Sequence, residues 1–328
     1  MGTKNVMNKR KKDAQEENVV KLSEVFEDYM NEKVNNLTQP TIIGYRDSFK
    51  RFQAFVGEDA TTSVLTSKEI QRWIATMIGD GIKTVSANHY LRAVRTFIIW
   101  TSENYPDCVQ PFTIKLIPEQ EETPKTFDDD EVKLLLERPD RNADFTEWRT
   151  YVIVNWILAT GNRVSTICSF RVGDLDMKTG YVTLPHTKNK KADRLPISSR
   201  LLTVMKEYLR TQRKTVAPKE WLFCDIGEGK LTTNASRQAF RRYCIKRGVT
   251  KTSIHGLRHT FAMNWIKNGG DSFRLQKMLG HSTLDMTRKY VRLFGEDIKP
   301  DIDRFAPLDN FQRGVSRTVS DKFKKKKD

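Results

Sequence analysis

Cysteine is scarce: Cys108, Cys168, Cys224 and Cys244 are the four in 328 residues, and no two form a C-x-x-C pair. That spacing excludes a disulfide framework and a zinc ribbon, and the thiols read as the reduced cysteines of a cytoplasmic protein. No apolar run reaches the roughly 20 residues that a membrane-spanning helix needs. The opening Met1-Gly2-Thr3-Lys4-Asn5-Val6 lacks both the apolar stretch of a signal peptide and the Ser/Thr of a myristoylation site. The phosphate-cradling pattern G-x-x-x-x-G-K-[ST] is missing as well, so nothing points to nucleotide-driven chemistry. Acid is the minority charge, with 41 Asp and Glu against 57 Lys and Arg, a net charge of +16. A balance this basic implies a polyanionic partner. Residues 1–13 carry +4 and residues 313–328 carry +5, which leaves +7 on the remainder, so the basic character is not confined to the ends.

The length suits two domains, and a mean hydropathy of −0.59 with 38% hydrophobic residues describes a soluble chain with adequate core material. Residues 1–18 are polar and charged and are expected to be a disordered basic N-terminus. Leu22, Val25, Phe26 and Tyr29 recur at helical spacing. A second helix is expected after Thr38-Gln39-Pro40, with Ile43, Phe49, Phe52, Phe55 and Val56 buried. Thr66 and Glu69 have the spacing of a capping box that opens a third, and Ser86 to Trp100 reads as a fourth. Four helices over residues 19–105 make a small helical domain. Residues 106–125 contain Pro111, Pro118, Pro124 and an acidic run, and are expected to be a linker.

A second domain is expected over residues 126–312, opened by a helix capped by Asp129 or Asp130 and reaching Leu136. Trp148 to Ala159 reads as a central apolar helix that Gly161 ends. Residues 181–184 and 194–197 read as two strands around the polar turn Lys188–Asp193, after which the pattern is mostly helical. Residues 313–328 are expected to be a basic disordered tail.

Three segments carry chemistry: Thr160-Gly161-Asn162-Arg163-Val164-Ser165, His255-Gly256-Leu257-Arg258-His259, and Leu279-Gly280-His281-Ser282 followed by Thr287 and Tyr290. They supply arginines, histidines and a tyrosine without paired carboxylates, a set that suits a phosphate better than a metal. A phosphodiester under attack gains charge on its non-bridging oxygens, and fixed cations stabilise it. Arginine serves best, being permanently charged and forked. Arg258 stands three residues after His255, on the same face of a helix. His255 and His281 can donate to phosphate oxygens or handle a proton. Tyr290 has the nucleophilic oxygen, and neighbouring cations favour its phenolate.

This constellation resembles the tyrosine recombinase (phage integrase) family, with boxes covering residues 160–290. The resemblance implies a mostly α fold with a small β-sheet: a two-domain DNA clamp in which residues 19–105 form the helical core-binding domain and residues 126–312 the α+β catalytic domain. The family's arm-binding domain is expected to be absent, since about 18 residues precede the first helix.

The resemblance implies Arg163, Lys188, His255, Arg258, His281 and Tyr290 as the catalytic set, with Tyr290 forming a 3′-phosphotyrosyl bond. Lys188, in a β-turn ahead of Pro196, would protonate the leaving 5′ oxygen. His259 would have a mainly structural role. At Thr166 the family commonly has an acid that orients the cluster, and threonine brings no charge. The implied function is site-specific recombination that integrates or excises a mobile element, on double-stranded DNA, as a homotetramer passing through a Holliday junction. Accessory DNA-bending or directionality factors are compatible with it, and no metal or cofactor is called for. Three alternatives share the site: replicon dimer resolution of the Xer kind, nicking and closing like a type IB topoisomerase, and a catalytically impaired DNA-binding regulator.

Overall fold

The computed structural model describes residues 19–119, 123–184, 194–281 and 283–294. The chain divides into two compact units, Met1–Glu122 and Thr123–Asp328. The fold is mostly helical, with one three-stranded sheet in the second unit.

The first unit contains α1 (Leu22–Lys33), α2 (Gln39–Val56), α3 (Ser67–Gly79) and α4 (Thr84–Asn104). Its core is aromatic. Phe26 of α1 stacks on Phe49 of α2 with ring centroids 3.7 Å apart, and Phe97 of α4 meets Phe26 edge-on at 5.4 Å. The expected stripe of α2 is off by one position at its start: Ile43 is 65% exposed and Ile42 is buried in its place. Ile42, Phe49 and Phe52 share a face at spacings of seven and three, and Ile43 lies a further ~100° round the helix. Thr66 does cap α3 by accepting from the Glu69 amide, but the Glu69 carboxylate pairs with Arg72 at 2.7 Å instead of closing the box.

Residues 106–119, expected to be linker, pack as a strap on this unit. Val109 and Ile114 are buried in its core, and the Asn88 side chain donates to the Ile117 carbonyl at 2.8 Å and accepts from its amide at 2.9 Å. An extended segment needs main-chain partners when it lies on apolar surface, and Asn88 supplies both.

The second unit comprises α5 (Asp129–Leu136), α6 (Phe145–Thr160), the short α7 (Val164–Ile167), β1 (Leu175–Asp176), β2 (Tyr181–Thr183), β3 (Arg194–Pro196), α8 (Ser199–Gln212), α9 (Thr233–Lys246), α10 (Ile254–Lys267), α11 (Ser272–Leu279) and α12 (Asp285–Phe294). Asp128, rather than Asp129 or Asp130, caps α5, in a full capping box with Glu131. Helix α6 is buried on nearly every side, as its unbroken apolar run requires. It packs against α8, α10, α9 and α5. The sheet is antiparallel in the order β1-β2-β3, with Val182 opposite Leu195 and both buried. β1 was not anticipated, since two residues are too few to show an alternation.

Candidate active site

Two left-handed glycines shape the site. Gly161 ends α6 at φ 66° and Gly280 ends α11 at φ 61°. Glycine adopts this conformation without strain, so each helix can stop and turn at once. Gly161 is also a close-packing point: a Cβ there would overlap the Phe261 ring and stand 2.6 Å from Leu279. The turn after Gly161 is braced from below, where Trp156 donates to the Asn162 side chain at 2.9 Å with both residues buried. It delivers Arg163 to the exposed surface at the cap of α7.

Arg258, on α10, is buried and ties the two glycine turns together. Nη1 donates to the Gly161 carbonyl at 2.7 Å and Nη2 to the Leu279 carbonyl at 2.9 Å. Arg163 joins the same place through Nη1, which donates to the Gly280 carbonyl at 3.3 Å. Both guanidiniums retain further donors. Burial, and secondarily the charge of Arg163, lowers the Arg258 pKa to about 10, so it stays charged at neutral pH.

His281 follows Gly280 directly. Its amide donates to the Gln276 carbonyl at 3.1 Å, and its Nδ1 lies 2.9 Å from the buried Thr287 hydroxyl. If the hydroxyl donates to Nδ1, the ring carries its proton on Nε2, which suits donation to a phosphate oxygen. Burial, then Arg258 and Arg163, pushes the His281 pKa down to about 4. His255 is exposed on the first turn of α10, where burial of part of its ring and Arg258, Arg163 and Arg237 lower its pKa.

Tyr290, on α12, packs with Phe261, Leu275 and Leu279. Its ring lies parallel to His281 at 6.4 Å between centroids. Its hydroxyl is 2.6 Å from Nδ1 of His259. The structure therefore brings Arg163, His255, Arg258, His259, His281 and Tyr290 into one cluster, and it adds two details. Arg258 and Arg163 pull towards the phenolate, as expected, but burial outweighs them and pushes the Tyr290 pKa up. His259, read as mainly structural, touches the nucleophile candidate itself. Thr166 is half-buried on α7, one turn after Arg163. Lys188 lies outside the described residues.

Sequence reasoning quoted Asn162 and Thr287 within the motifs but gave them no role, and it missed Arg237. Asn162 stands between Gly161 and Arg163 in the motif, and its type suited a turn. Thr287 is three residues before Tyr290. Arg237 carried no local signal, because only the packing of α9 against α10 brings it towards His255.

Residues 125–296, about half the chain, match the phage integrase family. The chain is 25% identical over 292 residues to tyrosine recombinase XerD of Staphylococcus haemolyticus, covering 86% of this chain and 98% of that protein. It is 28% identical over 252 residues to tyrosine recombinase XerA of Pyrococcus furiosus, covering 76% and 84%. Among solved structures, the Tn1549 transposon integrase in complex with transposon right end DNA superposes with a TM-score of 0.74 at 16% identity, covering 88% of this chain and 100% of that one. The XerH site-specific recombinase bound to palindromic difH substrate gives 0.67 at 18% identity, covering 84% and 82%. These two likenesses establish the fold.

Proposed function

Since the chain belongs to the phage integrase family and is a tyrosine site-specific recombinase, we propose that Tyr290 is its nucleophile and that Arg163, His255, Arg258 and His281 hold the phosphodiester it attacks. The Tyr290 oxygen bonds to phosphorus as the bond to the 5′ oxygen breaks, leaving a 3′-phosphotyrosyl link and a free 5′ hydroxyl. The arginines and histidines donate to the non-bridging oxygens, where charge develops. Lys188 gives the leaving oxygen its proton. The phosphotyrosyl bond conserves the energy of the original link, so a second 5′ hydroxyl can reverse the attack without a nucleotide or other cofactor. The convergence of Arg258, Arg163 and Tyr290 on the two glycine turns is the observation that carries this reading.

The partner is double-stranded DNA, in keeping with the net charge of +16 and with the DNA complexes among the structural relatives. We assign the biological role to integration or excision of a mobile element, favoured by the likeness to a transposon integrase held on transposon end DNA. The working assembly is a homotetramer on two sites.

The test uses a nicked suicide duplex carrying the protein's own recombination site. Wild-type protein is expected to form a denaturant-resistant, protease-sensitive adduct on a 3′ phosphate. Tyr290→Phe is expected to bind the duplex as well as wild type and form no adduct. An undiminished adduct from that variant would remove Tyr290 from its role. Transfer of the adduct to a second duplex supports recombination, whereas resealing confined to one duplex supports the topoisomerase-like alternative.

A further inference from the structure

We propose that His259 is the proton acceptor for Tyr290 in strand cleavage and the proton donor that restores it in rejoining. This rests on the assignment of Tyr290 as nucleophile and adds the group that activates it.

The problem is set by burial. Tyr290 is 4% exposed, and its pKa is raised rather than lowered, so the resting phenol is protonated at neutral pH. A neutral phenol attacks phosphorus poorly, and its proton needs a destination as the new bond forms. Arg163 and Arg258 are donors without acceptor capacity. His281 has its Nδ1 committed to Thr287 at 2.9 Å and lies face to face with the Tyr290 ring, 6.4 Å between centroids, rather than in line with its oxygen. Among the described residues, the Tyr290 hydroxyl has its hydrogen bond with Nδ1 of His259, at 2.6 Å.

The ring is prepared to accept. Burial, then the charges of His255, Arg258 and Lys289, hold its pKa down to about 4, so at neutral pH it is uncharged and one nitrogen carries a free lone pair. With the phenol donating to Nδ1, its own proton sits on Nε2. His255 meets the ring edge-on, with centroids 4.6 Å apart and planes at 87°, which limits its rotation on one side. The groups facing His259 are His255 and Arg258 from α10, Lys289 and Tyr290 from α12, and His281 from the turn before α12. The charges that depress its basicity belong to a cluster that faces the phosphodiester in the proposed complex. An anion bound there offsets them, so His259 becomes a stronger base when substrate is in place.

The step balances. The Tyr290 oxygen bonds to phosphorus and its proton passes to Nδ1, giving an imidazolium. The bond from phosphorus to the 5′ oxygen breaks, and that oxygen takes a proton from Lys188. In rejoining, a 5′ hydroxyl attacks phosphorus and its proton returns to the deprotonated Lys188, while the bond from phosphorus to the tyrosine oxygen breaks and the imidazolium returns its proton to that oxygen.

The experiment measures single-turnover adduct formation by the full chain from about pH 6 to about pH 10, a range spanning the ordinary pKa values of histidine and tyrosine. The substrate is a suicide duplex with sulfur in place of the 5′ bridging oxygen, whose departure needs no protonation and so isolates the nucleophile. His259→Asn keeps a hydrogen-bonding atom near the position of Nδ1 but cannot take a proton. It is expected to bind the duplex normally and to form adduct about 100-fold more slowly at pH 7. Its deficit should shrink as pH rises and the phenol ionises unaided. His259→Ala should be restored at least ~10-fold by added imidazole, as a missing base would be. A His259→Asn rate within about threefold of wild type, with a parallel pH profile, overturns the proposal and shows that His259 only positions the phenol. Wild-type adduct is the control that separates the two readings. If wild type forms none, the Tyr290 assignment fails and this one with it. If wild type forms adduct and the asparagine variant matches it, only this inference is lost.

Discussion

Arg258→Lys separates charge from geometry at the centre of the site. Arg258 is 3% exposed and serves two carbonyls at once, Gly161 at 2.7 Å and Leu279 at 2.9 Å, so one planar group joins the ends of α6 and α11. Lysine keeps the positive charge but ends in a single nitrogen on a tetrahedral head, and it cannot span both. One carbonyl is then left without its partner in a buried setting, which costs about 1–3 kcal/mol. In a unit of this size each kcal/mol moves the melting temperature by about 2–4 °C, so the midpoint should fall by about 2–12 °C. The chemistry should suffer more. Loss of a preorganised donor at the attacked phosphate costs about 100- to 1000-fold in rate, so adduct formation on the suicide duplex should drop by that factor. The salt dependence of DNA binding should hardly change, because the number of cations available to phosphates is the same. Thermal melts, single-turnover cleavage and a salt titration together make the test. A melting point within about 1 °C of wild type and an unimpaired cleavage rate would refute the claim that the fork organises the site.

Stability of the free protein should fall between about pH 6.5 and about pH 4. His259 and His281 each have a folded pKa of about 4, below their ordinary value, so the unfolded chain takes up protons first as the pH drops. Two shifts of this size would amount to about 7 kcal/mol at face value, and solvent screening of the two half-buried rings reduces their joint contribution, present above about pH 6.5, to on the order of 3 kcal/mol. Denaturant midpoints across that range should show the loss in wild type and a smaller one in the double variant His259→Asn, His281→Gln; equal slopes would contradict the assignment. Gly161→Ala should be far worse than Gly280→Ala. Both positions need a left-handed residue, at about 1 kcal/mol each, but the new Cβ at 161 overlaps Phe261 and Leu279 while at 280 its nearest neighbour is Arg163 Nη1 at 3.9 Å. Overpacking adds about 1–3 kcal/mol at 161 alone, so equal melting points for the two variants would show that the close approach is not real.

What was readable in the sequence was whatever a short stretch of chain decides by itself. The apolar run of α6 and its stop at Gly161 are local facts, and so is the spacing that puts His255 and Arg258 on one helix. The strand pair β2 and β3 was legible because Val182 and Leu195 each sit in a short alternating run. The exposure of Ile43 in place of Ile42 was not, since it depends on how α2 is rotated against Phe26 and Phe97. The strap over α4 was hidden for a similar reason: three prolines and an acidic run read as a linker, and only the fold shows Asn88 in reach of Ile117. The contact of His259 with Tyr290 lay in the phase between α10 and α12, a tertiary quantity that motif spacing does not encode.

The charge balance of the cluster bears on Thr166, which stands where the resemblance implies an acid. Among the described residues, no ion pair joins Arg163 or Arg258 to a carboxylate. Their counter-charge comes instead from the carbonyls of Gly161, Leu279 and Gly280, at the C-terminal ends of α6 and α11. Each such end carries roughly half a negative charge. Two half-charges orient two guanidiniums without neutralising them, and uncharged histidines and a protonated tyrosine add nothing on either side. The free site is thus left with a surplus of positive charge, partly buried and held at fixed positions. That surplus is matched to a single phosphodiester. A full carboxylate at position 166 would orient Arg163 more firmly but would also compete with the phosphate for its charge. On the proposed reading, threonine leaves the whole of that attraction to the substrate, and the glycine-turn carbonyls that Arg163 and Arg258 contact do the orienting.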